Sequence, residues 1–196
     1  MINKNAKSEV IKKLVERLIF GLCEDTKRDG LRETPVRVAR MYQELTSGYL
    51  AEPEKVFKTF DSNGFHGFVT VANIDFYSLC EHHLIPFFGK AHIGYVPDGK
   101  ILGLSKFARL VEIFSHRLQT QENITAQLAD TIDLYLRPKG LIVRLEAEHL
   151  CVSMRGVRKK GFTTKTTAKR GILEKDASLL NQFYRDIAVI SNESGK

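Results

Sequence analysis

The sequence predicts an α+β fold, an N-terminal helical arm followed by a core in which paired helices separate two groups of strands. Apolar residues recur at helical spacing ahead of Gly48, period-two runs begin after Phe65, and two more helical stripes lie between the strand groups. No internal repeat or long linker interrupts the chain. The arm is placed at residues 1–60 and the α+β domain at residues 61–196.

Ile11, Leu14, Leu18 and Leu22 define a first amphipathic helix from about Ser8 to Cys23, and the stretch Asp25 to Gly30 breaks it. Thr34-Pro35 starts a second helix, with the threonine as cap and Val38, Met41, Tyr42 and Leu45 as its apolar stripe. Arg37, Arg40 and Glu44 share the polar face beside that stripe, which by itself reads as solvated. Strands are expected over Phe68 to Tyr77 and Lys90 to Val96, separated by a loop containing Pro86 and closed by Pro97-Asp98-Gly99. Ser105 opens a helix that turns Phe107, Leu110, Val111 and Phe114 inward, and Ile124, Leu128, Ile132 and Tyr135 mark the next. Leu141 to Val152 alternates as a half-buried antiparallel strand. The run Phe162 to Ala168 supplies a last strand, and Leu179, Phe183 and Ile187 a closing helix.

A chain of 196 residues, 43% hydrophobic and 27% charged, can bury a core of its own. No apolar run nears the roughly 18 residues that span a bilayer, and the start lacks a secretory signal's apolar segment. The expectation is a cytoplasmic protein without a membrane partner. Three cysteines, Cys23, Cys80 and Cys151, do not form a disulfide framework. The formal charge of +7 admits a polyanionic partner, but the basic residues are interleaved with acidic and apolar ones, so nucleic acid is not expected.

The chemistry is concentrated in Cys80-Glu81-His82-His83, where Cys80 and His83 have ligand-like spacing. His149 and Cys151, two apart on the expected strand, would share the face of Leu145 and Ala147 and point into a pocket. Cys80, His83 and Cys151 would then make a three-ligand zinc site with a fourth position open to water, leaving His82 and His149 as acid–base groups. The plain alternative is that the cysteines are small buried hydrophobes and the histidines structural, as His66, His92 and His116 are taken to be. The residues alone leave both open.

The stretches SLCEHHLIPFFGKAHIGYVPDGKILGLSKFARLVEIFSHRLQTQENIT, EAEHLCVSMRGV and, upstream, DGLRETPVRVARMYQELTSGY closely resemble the signature segments of GTP cyclohydrolase I. The resemblance implies a tunnelling fold, assembled as a homodecamer of two stacked pentameric rings with active sites at subunit interfaces. It implies Zn2+ on Cys80, His83 and Cys151, and GTP as substrate. GTP and water would give formate and 7,8-dihydroneopterin triphosphate, the first step of tetrahydrofolate or related pterin biosynthesis. His149 would protonate the imidazole nitrogen and His82 would assist later proton transfers. Gln121 and Glu122 resemble the guanine-binding pair, and Glu122 is assigned to a neighbouring subunit. Ser105, Lys106, Arg109 and Arg155 would bind the sugar-triphosphate, joined by Arg37 and Arg40. No role is assigned after Gly161. The competing readings are a related tunnelling-fold enzyme, such as a deazaguanine nitrile reductase, and a zinc-containing nucleic-acid-binding protein. The paired Cys80/His83 and His149/Cys151 segments argue against the reductase.

Overall fold

The computed structural model describes residues 4–193. The chain divides between Ser47 and Gly48 into two compact units.

The first unit pairs α1 (Lys4–Gly21) with α2 (Thr34–Leu45). Its buried residues are Val15, Ile19, Pro35 and Ala39, while Leu14 and Leu18 of the expected stripe are 58% and 61% exposed. Two apolar ribbons at a spacing of four run along this helix, and the one through Val15 and Ile19 is the ribbon that packs. Thr34 does not cap α2 as expected. It is the first helical residue, its hydroxyl donates to the Gly30 carbonyl at 3.3 Å, and Glu33 holds the cap position without a side-chain bond.

The second unit is α+β. Its strands are β1 (Thr59–Asp61), β2 (Val69–Cys80), β3 (Pro86–Val96), β4 (Lys100–Leu102), β5 (Leu118–Gln119), β6 (Gly140–His149) and β7 (Thr163–Gly171). Its helices are α3 (Leu104–Ser115), α4 (Gln121–Leu136), the single turn α5 (Leu150–Ser153) and α6 (Ala177–Glu193). The main sheet has the order β5-β2-β3-β6-β7, antiparallel except where β5 pairs parallel with Leu79 and Cys80 at the end of β2. β1 and β4 form a separate antiparallel pair.

Strand alternation sends Ala91, Ile93 and Tyr95 of β3 and Leu141, Val143, Leu145 and Ala147 of β6 to one face. The stripes of α3 (Phe107, Leu110, Val111) and α4 (Ile124, Leu128, Ile132) pack on that face, and all six are fully buried. Each such side chain contributes roughly 1.5–3 kcal/mol of hydrophobic stabilisation. On the other face Ile142 meets Phe183 and Ile187 of α6. β2 carries a bulge between Val71 and Ile74, where Asn73 has φ 57° and its amide donates to Nδ1 of buried His92 at 3.3 Å.

Two strand limits differ from expectation. Pro86 is the first residue of β3 and not part of a loop, a position that needs no ladder N–H. β6 stops at His149, so Cys151 and Val152 lie on the helical turn α5 instead of continuing the strand. No helix among the described residues is long and apolar enough to cross a membrane.

Candidate active site

Cys80 ends β2, and a tight turn follows before β3. The Cys80 amide donates to the Ile85 carbonyl at 2.9 Å, the Leu84 amide returns to the Cys80 carbonyl at 2.8 Å, and Leu84 takes a left-handed φ of 55°. The turn folds both histidines back toward the sulfur, which lies 3.6 Å from His82 Nδ1 and 3.7 Å from His83 Nδ1. β5 braces the turn from the side, the Glu81 amide donating to the Gln119 carbonyl at 3.1 Å.

The third member arrives by way of β6, which ends beside β3 at the same end of the sheet as Cys80. Phe87 and His149 form the last pair of the β3–β6 ladder, and α5 then curls Cys151 toward Cys80. The ligand atoms of Cys80, His83 and Cys151 all lie within 4.8 Å of one another. The grouping expected from the sequence is present, although a helical turn, and not strand alternation, delivers Cys151. Bond lengths of about 2.3 Å to sulfur and about 2.0 Å to nitrogen give a tetrahedral S···N edge of about 3.5 Å. The Cys80–His83 separation matches that edge, so the donor set fits a thiolate- and imidazole-binding metal. Burial, then the adjoining Cys80 sulfur, push the Cys151 thiol above its ordinary range, with Arg155 opposing. A bound cation reverses that preference by favouring thiolate.

His149 stacks face to face on buried Phe87, with ring centroids 4.6 Å apart and planes 4° from parallel. Burial lowers its pKa against the opposing pull of the Glu122 carboxylate. Its Nε2 lies 2.9 Å from Gln121 Oε1. Gln121 is the first residue of α4, whose N-cap Thr120 accepts from the Asn123 amide at 3.2 Å, and its side chain is buried. Glu122, one residue on, is exposed. Glu122 therefore directly follows the residue that bonds His149 of its own chain.

Arg155 is exposed on the same side as Cys151. Ser105, Lys106 and Arg109 occupy the first turns of α3, which follows Tyr95, Val96 and β4 at the far end of β3 from Phe87. α3 has 12 residues and so spans ~18 Å before the chain reaches β5 beside Cys80. Within one chain Ser105 and Lys106 stand ~14–15 Å along the helix from its Ser115 end and Arg109 ~9 Å. Arg37 and Arg40 are exposed on α2 of the first unit, Arg37 with its guanidinium 2.6 Å from Glu33. The pattern along the chain did not point to Phe87, Thr164 or Thr166, although the two threonines hold Gln121. The only prior signal was the threonine-rich texture of that stretch.

The family model described as GTP cyclohydrolase I matches residues 11–188. Among curated proteins the chain is 50% identical over 165 residues to the GTP cyclohydrolase 1 of Brucella anthropi, covering 83% of this chain and 78% of that protein. It is 48% identical over 177 residues to that of Clostridium kluyveri, covering 90% and 96%. A solved structure titled as the archaeosine synthase QueF-Like in the apo form aligns with 53% of this chain and 93% of its own, at 16% identity and a TM-score of 0.45.

Proposed function

Since the chain belongs to the GTP cyclohydrolase I family and is a hydrolase, we propose that it opens the guanine imidazole ring of GTP to give formate and 7,8-dihydroneopterin triphosphate. The observation that carries this is the convergence of Cys80, His83 and Cys151 beside a half-buried, oriented His149. The metal in this reading is zinc, for which two thiolates and one imidazole are suitable donors. When bound, zinc lowers the pKa of water to about 7 and so supplies a nucleophile at neutral pH. His149 moves the proton at the imidazole nitrogen as the ring opens, and exposed His82 serves later transfers. Glu122 accepts from the guanine N1 and amino groups, which its exposed position near His149 supports.

The triphosphate needs several cationic donors. Arg155 lies on the side of the metal ligands, whereas Ser105, Lys106 and Arg109 lie about two to three turns back along α3 from the end that leads into β5. We therefore assign those three to a second copy of the chain, with Arg37 and Arg40 carried as further phosphate ligands on resemblance alone. Sharing of this kind supports the homodecameric tunnelling-fold assembly, with the first helices as an arm on a catalytic domain. Three free cysteines fit a cytoplasmic setting in which thiols stay reduced.

The test is to incubate zinc-replete protein with GTP and identify formate together with the fluorescent oxidised pterin. Absence of both products from folded, zinc-loaded protein overturns the reading. NADPH consumption without formate would instead indicate a nitrile reductase.

A further inference from the structure

The side chain of Gln121 is held so that only one end of its amide can face His149. Nε2 has three acceptors at 3.1 Å, the carbonyls of Leu145 and Thr164 and the hydroxyl of Thr166. The hydroxyl pattern is consistent with this. Thr125 donates to the Gln121 carbonyl at 2.8 Å, so across the 2.6 Å contact between the two threonines the proton belongs to Thr166. The lone pairs of Thr166 Oγ1 are then available to Gln121 Nε2. Turning the amide over would set Oε1 against two carbonyl oxygens, acceptor against acceptor.

Oε1 can only accept, so the proton in its 2.9 Å contact must sit on His149 Nε2. A neutral imidazole with hydrogen on Nε2 carries its lone pair on Nδ1. Phe87 stacked on the ring face removes the remaining rotational freedom.

We propose that Gln121 is a positioning residue acting through His149, holding the ring in its Nε2–H tautomer so that Nδ1 is the nitrogen that exchanges a proton with the substrate. This differs from a guanine contact made by its side chain, because the amide is buried and already held at both ends, its N–H groups on core acceptors and its oxygen on His149. Thr164 and Thr166 of β7 belong to the same device, which gives the threonine-rich stretch a function. The inference rests on the proposed role of His149 in ring opening.

Neutron diffraction from crystals of the zinc-loaded full chain, kept at a pH where neutral imidazole dominates, reads the ring hydrogen directly. The expected result is density at Nε2 and none at Nδ1 of His149. Hydrogen at Nδ1 overturns the proposal and needs no variant, so a misfolded mutant cannot shield it. In solution Gln121→Met, which keeps length and apolar volume, should retain zinc and lower kcat at least tenfold with KM for GTP within about twofold. An unchanged kcat, or a raised KM with kcat unchanged, overturns it in favour of no role or of base binding. Formate release with hydrogen at Nδ1 sinks this inference alone. An Nε2–H ring in a protein that releases no formate sinks the functional reading alone.

Discussion

Cys151 and His149 are two residues apart but are held by different means, and their losses should differ accordingly. Cys151 is presented by a four-residue helical turn, and its sulfur completes a cluster with Cys80 and His83. Cys151→Ala should leave a two-donor site, lose most of its zinc on gel filtration and lose turnover with it. His149 is tied to Gln121 and Phe87, so His149→Ala should keep its zinc while kcat falls by about 10²–10⁴-fold. Metal analysis beside formate assays checks both, and full zinc occupancy in Cys151→Ala would remove that residue from the ligand set. The ligand residues were legible because thiol and imidazole at short spacing are rare in a helix or strand built only for packing. Gln121 was legible as a member of a resembling motif but not as a partner of His149. Its acceptors come from β6 and β7, 24 and 43 residues away in sequence, and no local pattern encodes that meeting.

At the scale of elements, the β3–β6 ladder sets the geometry of the site, since its terminal pair is Phe87 with His149. Gly89, opposite Ala147 in that ladder, allows the two strands to meet there. A Cβ at this position would lie 1.9 Å from the Glu146 carbonyl oxygen and 2.7 Å from the Ala147 Cα. Both obstacles are backbone, so a side chain can be accommodated only by prising the strands apart. Gly89→Ala should therefore destabilise the fold by about 3 kcal/mol, read as a lowered urea midpoint, and should loosen the Phe87–His149 stack two residues away. A midpoint equal to that of wild type would show that the ladder relaxes freely there. The alternation of Leu141, Val143, Leu145 and Ala147 made β6 readable, but its end was not, because Cys151 continues the same period-two pattern past His149. The face of α1 was ambiguous for a related reason. Two ribbons of apolar residues at equal spacing compete, and only the packing partner selects between them.

At the scale of the whole molecule, periodicity showed which face of α3 is buried but not which end of the sheet its first turn reaches. That end decides how a site is assembled. Lys106 and Arg109 stand ~14 and ~9 Å along α3 from its Ser115 end, which leads into β5 beside Cys80, whereas Glu122 lies near His149 of the same chain. If each site takes its metal ligands, His149 and Glu122 from one subunit and Lys106 with Arg109 from another, complementation should follow a strict pattern. Cys151→Ala co-refolded with Lys106→Ala/Arg109→Ala should regain activity, because some sites draw an intact half from each parent. Random mixing at equal amounts leaves about a quarter of such sites undamaged. Cys151→Ala co-refolded with Glu122→Ala should regain none, since every candidate half-site then carries one lesion or the other. Native mass spectrometry confirms that mixed oligomers have formed, and formate release measures the recovery. Equal recovery in both mixtures would place Glu122 across the interface after all. No recovery in either, with mixed oligomers present, would mean that each chain builds its site alone and that the far end of α3 plays no part in binding the triphosphate.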